Sequence, residues 1–212
     1  MSKSLIVCPV EFSPSGASAV GYAFAFARAQ GAYLHIAHVS GKRRALLGGP
    51  AESRGETATQ ARLLNFVGSV TSEDPNVQTV LLTGDPLTTV VDYATRNGAD
   101  LIVVGQYGRQ GSPYWRRGAF VAELTRSVGC RILTVPDGIR AGDVQPLRWG
   151  HILCAVDFSD GSMRAIDQAI SFGHESSTLL TLMHPASVPI ELQPASIMEP
   201  RIQISGPLTL RK

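Results

Sequence analysis

The sequence predicts an α/β protein in which a five-stranded parallel sheet carries helices on both faces and is followed by an incomplete repeat of its own beginning. Three observations predict it. Between Leu5 and Val135 five short apolar runs alternate with four stretches of helical period, the pattern of consecutive strand-helix units. The stretch from Asp100 to Ala119, DLIVVGQYGRQGSPYWRRGA, reads as a buried strand that enters a glycine loop and then opens a helix. Finally, Ile152-Leu-Cys-Ala-Val-Asp-Phe-Ser159 restates Ile6-Val-Cys-Pro-Val-Glu-Phe-Ser13 at an offset of 146 residues.

Leu5 to Val10 is the first strand, and Glu11 to Gly16 the turn into a helix, with Ser13 as N-cap and Pro14 at the first helical position. That helix runs to about Gln30. Val20, Phe24 and Ala27 recur at helical spacing, and Gly31 closes it. Tyr33 to Val39 alternates as a second strand. From Ser40 to about Glu56, glycine, serine and the basic Lys42-Arg43-Arg44 predict a loop with a solvated charged face. Thr57 to about Ser72 is helical in period, and Asp74-Pro75-Asn76 turns the chain into a third strand, Val77 to Leu82.

Gly84-Asp85-Pro86 makes the next turn. Asp85 reads as a helix cap and not as a general acid, because no second carboxylate or histidine is paired with it nearby in sequence. Leu87 to Asn97 is a helix with Val90, Val91 and Ala94 on one face, ended by Gly98. Leu101 to Val104 is the unbroken apolar run of a strand buried on both faces. Ala119 to Val128 then reads as the fourth helix and Arg131 to Val135 as the fifth strand.

Residues 1–136 thus form one domain, and residues 137–149, aperiodic and containing Gly138, Gly142 and Pro146, a linker. Over residues 150–184 the offset persists through Ala19 and Ala165, Ala23 and Ala169, Phe26 and Phe172, Leu34 and Leu180, and His38 and His184. A strand, a helix and a second strand to about Met183 are repeated. Residues 185–212 are punctuated by Pro185, Pro189, Pro194, Pro200 and Pro207, which predicts a poorly ordered tail. Three elements cannot bury both faces of a sheet, so the second part should lean on the first domain or on another chain, or stay partly disordered.

Composition sets further bounds. The 212 residues leave room for a full α/β domain and something smaller beside it. A formal net charge of +2 is too weak to argue for nucleic acid or a membrane surface. Cys8, Cys130 and Cys154 show neither a CxxC pair nor metal-ligand spacing with the histidines and read as small buried hydrophobes in a reducing compartment. No run reaches the ~20 apolar residues needed to span a bilayer. Pro9 and Glu11 break the N-terminal apolar segment too early for a signal peptide. The expected location is the cytoplasm.

The glycine loop carries the chemistry. Two residues separate Gly105 from Gly108 and nine separate Gly108 from Gly118, so backbone amides and a helix N-terminus can approach an anion. Arg109, Arg116 and Arg117 could supply the counter-charge for phosphates. The same glycines also suit a plain turn. In a parallel α/β sheet ligands bind outside the carboxyl ends of the strands at the switch point, where the loops holding Glu11, His38, Val39 and Gly105 would meet.

With these residues in view, the chain resembles the universal stress protein family in tandem arrangement. The matching stretches are Ile6 to Ser13, Gly84-Asp85-Pro86, Ala99 to Gly105 and the spacing Gly105-x2-Gly108-x9-Gly118; they cover residues 3–136 fully and 150 to about 184 in part. The resemblance implies a flavodoxin-like sheet, frequent dimerisation, and ATP or AMP binding in the branch with these glycines. By position it places Pro9, Val10 and Glu11 beside the nucleoside and Val39 near the adenine. Gly105, Gly108, Arg109 and Gly118 would hold ribose and phosphates, with the amides of Ala119 and Phe120 behind them. The family usually has Asp at Glu11 and Ser or Thr at Ala119. The second copy keeps Asp157 but lacks the glycine segment.

The function expected is a stress-response regulator that binds an adenine nucleotide and has unidentified protein partners. A nucleotide-independent interaction module of the same fold is the alternative. A slow ATP hydrolase is a third, though the sequence offers no Walker lysine, paired base or evident metal cluster. Arg131 to Val135, at a sheet edge in the family's strand order, should pair two copies into a homodimer.

Overall fold

The computed structural model describes residues 3–41, 50–71, 74–106, 119–136, 138, 149–173 and 178–184. The chain divides into two units, Met1–Leu147 and Arg148–Lys212. In the first, strands β1 (Leu5–Pro9), β2 (Tyr33–Ser40), β3 (Val77–Thr83), β4 (Leu101–Gly105) and β5 (Arg131–Val135) alternate with helices α1 (Pro14–Gln30), α2 (Pro50–Thr71), α3 (Pro86–Arg96) and α4 (Ala119–Ser127). Every strand pairing is parallel and the order is β3-β2-β1-β4-β5. The sheet is flavodoxin-like, as expected, and its order reverses between β1 and β4.

Each face of the sheet has its own cover. Leu5 and Val7 of β1 and Ile102 and Val104 of β4 form one cluster with Val90 and Ala94 of α3 and Phe120 and Leu124 of α4. Side chains alternate along a strand, so Ile6, Cys8 and Val103 point to the other face, where α1 lies across β1 and β4 and α2 packs on α1 and β3. Ile6, Leu34, Ile36 and Ile102 are almost wholly buried, each worth roughly 1.5–3 kcal/mol of transfer free energy. Cys8 is buried with them. Burial first, then the charge of Glu11, pushes its thiol far above the ordinary range. All three cysteines are free, Cys8 and Cys154 buried and Cys130 half-buried.

Helix α1 begins and ends where its sequence dictates. The Ser13 hydroxyl accepts the Gly16 N–H at 3.0 Å, Pro14 opens the first turn, and Gly31 at φ +60° closes the last. Ala23 to Ala27 are all buried, because small residues let the helix lie close between the sheet and α2. Helix α2 departs from expectation: it starts at Pro50, so the loop foreseen up to Glu56 is shorter. Proline is well placed at a helix start, where its missing N–H would have no partner anyway. Serine and glycine in that stretch disguised the helix. Lys42, Arg43 and Arg44 lie outside the described residues.

The second unit contains β6 (His151–Ala155), α5 (Asp160–Gly173) and β7 (Leu179–Met183), with β6 and β7 parallel. Its first turn has the geometry found after β1. Phe12 and Phe158 both stand at φ +63°, and His184 Nδ1 lies 2.7 Å from the Val156 carbonyl as His38 Nδ1 lies 2.8 Å from that of Val10. Of residues 137–149 only Gly138 and Trp149 are described, and the proline-containing stretch 185–212 lies outside the described residues. Among the described residues no helix is long and apolar enough to cross a membrane.

Candidate functional site

The core layer beneath α3 and α4 continues past the carboxyl ends of β1 and β2 as a shallow recess open to solvent. Pro9, Val10, Glu11, Val39 and Phe120 line it, together with Ala37, Pro86 and Val90. The first five belong to the set expected from sequence. The last three were not foreseen as site residues, because they converge from three elements that no local spacing connects. Pro86 sits in the Gly84-Asp85-Pro86 turn and Val90 on the apolar face of α3, the only signals that could have found them. Ala37 is 1% exposed, and its small side chain leaves the floor of the recess open.

Hydrogen bonds hold the loop after β1 rigidly. The Val10 N–H donates to the Ala37 carbonyl at 2.8 Å, and the carbonyl of Val10 accepts from His38 Nδ1, which fixes the proton on that ring nitrogen. Burial lowers the pKa of His38; the Val10 bond opposes this and the Arg62 charge adds to it. Phe12, a non-glycine residue at φ +63°, is held by rings and charge around it: His38 at 4.3 Å, Phe66 edge-on at 5.4 Å and the Arg62 guanidinium at 4.4 Å from its ring centre. The Glu11 carboxylate accepts the Ser13 hydroxyl and lies at the N-terminal turn of α1. Among the described residues it is the one ionisable group lining the recess.

Gly105 ends β4 against that same helix turn. A Cβ there would lie 2.8 Å from the Ser15 carbonyl carbon and 2.9 Å from its Cβ, so helix packing by itself requires a glycine. Ala119 opens α4 and is exposed, whereas the Phe120 ring is buried in the core cluster. Gly108, Arg109 and Gly118 lie outside the described residues. Asp85 is a cap: its carboxylate accepts the Thr88 N–H at 3.1 Å and the Thr88 hydroxyl at 3.0 Å. Among the described residues no cluster of His, Cys, Asp or Glu could hold a metal ion. An apolar recess with one carboxylate at its rim suits a flat, largely apolar ligand that offers a hydrogen-bond donor.

Fold and recess together define a parallel α/β domain with its crevice at the switch point. The model of the universal stress protein family matches residues 4–136, and the chain belongs to that family. Among solved structures it is similar to a universal stress protein in complex with cAMP, at 22% identity and a TM-score of 0.53 over 65% of this chain and 100% of that one. It is also similar to a universal stress protein from Archaeoglobus fulgidus DSM 4304, at 12% identity and a TM-score of 0.60 over 85% of this chain and 65% of that one. No curated protein matches the sequence.

Proposed function

We propose that this universal stress protein is a non-catalytic stress-response regulator that binds an adenine nucleotide, ATP or AMP, at the loops after β1, β2 and β4. The observation that carries it is the recess at the switch point, lined by Pro9, Val10, Glu11, Val39 and Phe120. A structurally similar family member in complex with cAMP supports an adenine nucleotide as the ligand class. The adenine enters the recess against Val39, with Glu11 facing its polar edge. Ribose and phosphates extend over Gly105 toward the N-terminus of α4, where Gly108, Arg109, Gly118 and the amides of Ala119 and Phe120 receive them. Calorimetric titration with ATP, AMP and cyclic AMP tests this. Binding to the native protein should weaken at least tenfold in Ala37→Leu, which fills the floor; titrations flat to millimolar with all three would favour the nucleotide-independent interaction module.

Three further assignments accompany this one. Residues 150–184 are an incomplete second universal stress protein copy, supported by the 146-residue offset and the matching turns at Phe12 and Phe158. Two chains associate through β5, supported by its place at the end of the strand order with Ile132 and Leu133 half-buried. The protein works in the cytoplasm, in keeping with three free thiols.

A further inference from the structure

In the second unit α5 packs on one face of the sheet, and no other described element of that unit packs on the opposite face. Helix α5 packs on β6 and β7, and Cys154 is buried there. The opposite face carries His151, Leu153, Ala155, Leu179, Thr181 and Met183. The register pairs His151 with Leu179 and Ala155 with Met183, and a 2.9 Å contact joins His151 Nε2 to the Thr181 hydroxyl. Leu153 is 60% exposed and Leu179 and Met183 49% each, against 0% for Val7 at the position matching Leu153. Three of the eight exposed large hydrophobics among the described residues, Leu153, Leu179 and Met183, lie on this small face.

Among the described residues the outer edge of β6 is open as well. In the first unit β1 has β2 on one side and β4 on the other, but β6 has only β7 among the described residues. The Val156 N–H donates to the Met183 carbonyl. Strand alternation therefore turns the backbone groups of Leu153 and Ala155 toward the free edge. An apolar face beside an unpaired edge is a template for another strand.

We propose that this surface is a contact between two copies of the chain, β6 pairing antiparallel with β6 of the second copy about a two-fold axis. Self-association fits because the six face residues include no Asp, Glu, Lys or Arg, so like meets like without charge repulsion. Pairing also converts two two-stranded sheets, each too small to be stable alone, into one of four strands. The contact is separate from β5, and the two together give a particle larger than a dimer.

Sedimentation velocity on the full chain at tens of micromolar tests the contact. Leu153→Lys places a charge at an exposed position and should reduce the particle to a dimer while leaving the far-ultraviolet circular dichroism unchanged. Leu133→Lys removes only the β5 contact, so failure of one association leaves the other measurable. Hydrogen exchange supplies a second readout: the amides of Leu153 and Ala155 should be protected at high concentration and lose protection on dilution. An unchanged mass in Leu153→Lys, or protection independent of concentration as when the chain covers its own face, would overturn the proposal.

Discussion

At the scale of single residues, the missing hydroxyl at Ala119 is the departure with the clearest consequence. A side-chain hydrogen bond to a charged group is worth roughly 1.5–3 kcal/mol, so Ala119→Ser should tighten ATP by about ten- to hundredfold. Adenosine should change little, because in the proposed placement only the phosphates gain a donor; equal tightening of both ligands would place the phosphates elsewhere. His38 gives a different kind of test. Its pKa is lowered from the ordinary 6.5 by burial, so the unfolded chain takes up a proton more readily than the folded one. The stability this provides is present above about pH 6.5 and is lost as pH falls through the folded value. His35, also lowered by burial, acts with the same sign. Denaturation midpoints should therefore fall between about pH 7.5 and about pH 5, and less steeply in His38→Gln; an unaltered slope would show that the His38 proton is not linked to folding.

At the scale of elements, boundaries were legible wherever a residue satisfies a helix end by its own chemistry. Ser13 with Pro14, Gly31 and Asp85 act in the structure as read. The start of α2 was not legible, since no capping pattern marks Pro50 and the preceding composition resembles a loop. The role of Gly105 was legible only in part. Its place after β4 suggested a ligand, whereas the close approach of Ser15 is a contact between elements far apart in sequence. Gly105→Ala should destabilise the protein by about 1–3 kcal/mol through overpacking, measured by urea denaturation without ligand. A variant as stable as the parent would mean that α1 can shift away from β4 at no cost.

For the whole molecule, the alternation of strands and helices was written in hydrophobic period, but the strand order was not. The reversal between β1 and β4 depends on which strands find each other across the chain, and so the full lining of the recess emerged only in three dimensions. The lone edges do follow from that order. If β5 joins two chains, Leu133→Lys should lower the particle mass at tens of micromolar, by light scattering, without altering the recess at the switch point. A mass indifferent to the change would leave β5 as an ordinary edge.

The crowding of Gly105 by Ser15 also bears on how such a protein can drift over generations. A lineage that abandoned its ligand would be free to replace any glycine kept for the ligand alone, yet selection for a folded chain would go on preserving the one beneath α1. Its persistence in a descendant is therefore a record of architecture, and a mute witness on whether that descendant still binds anything.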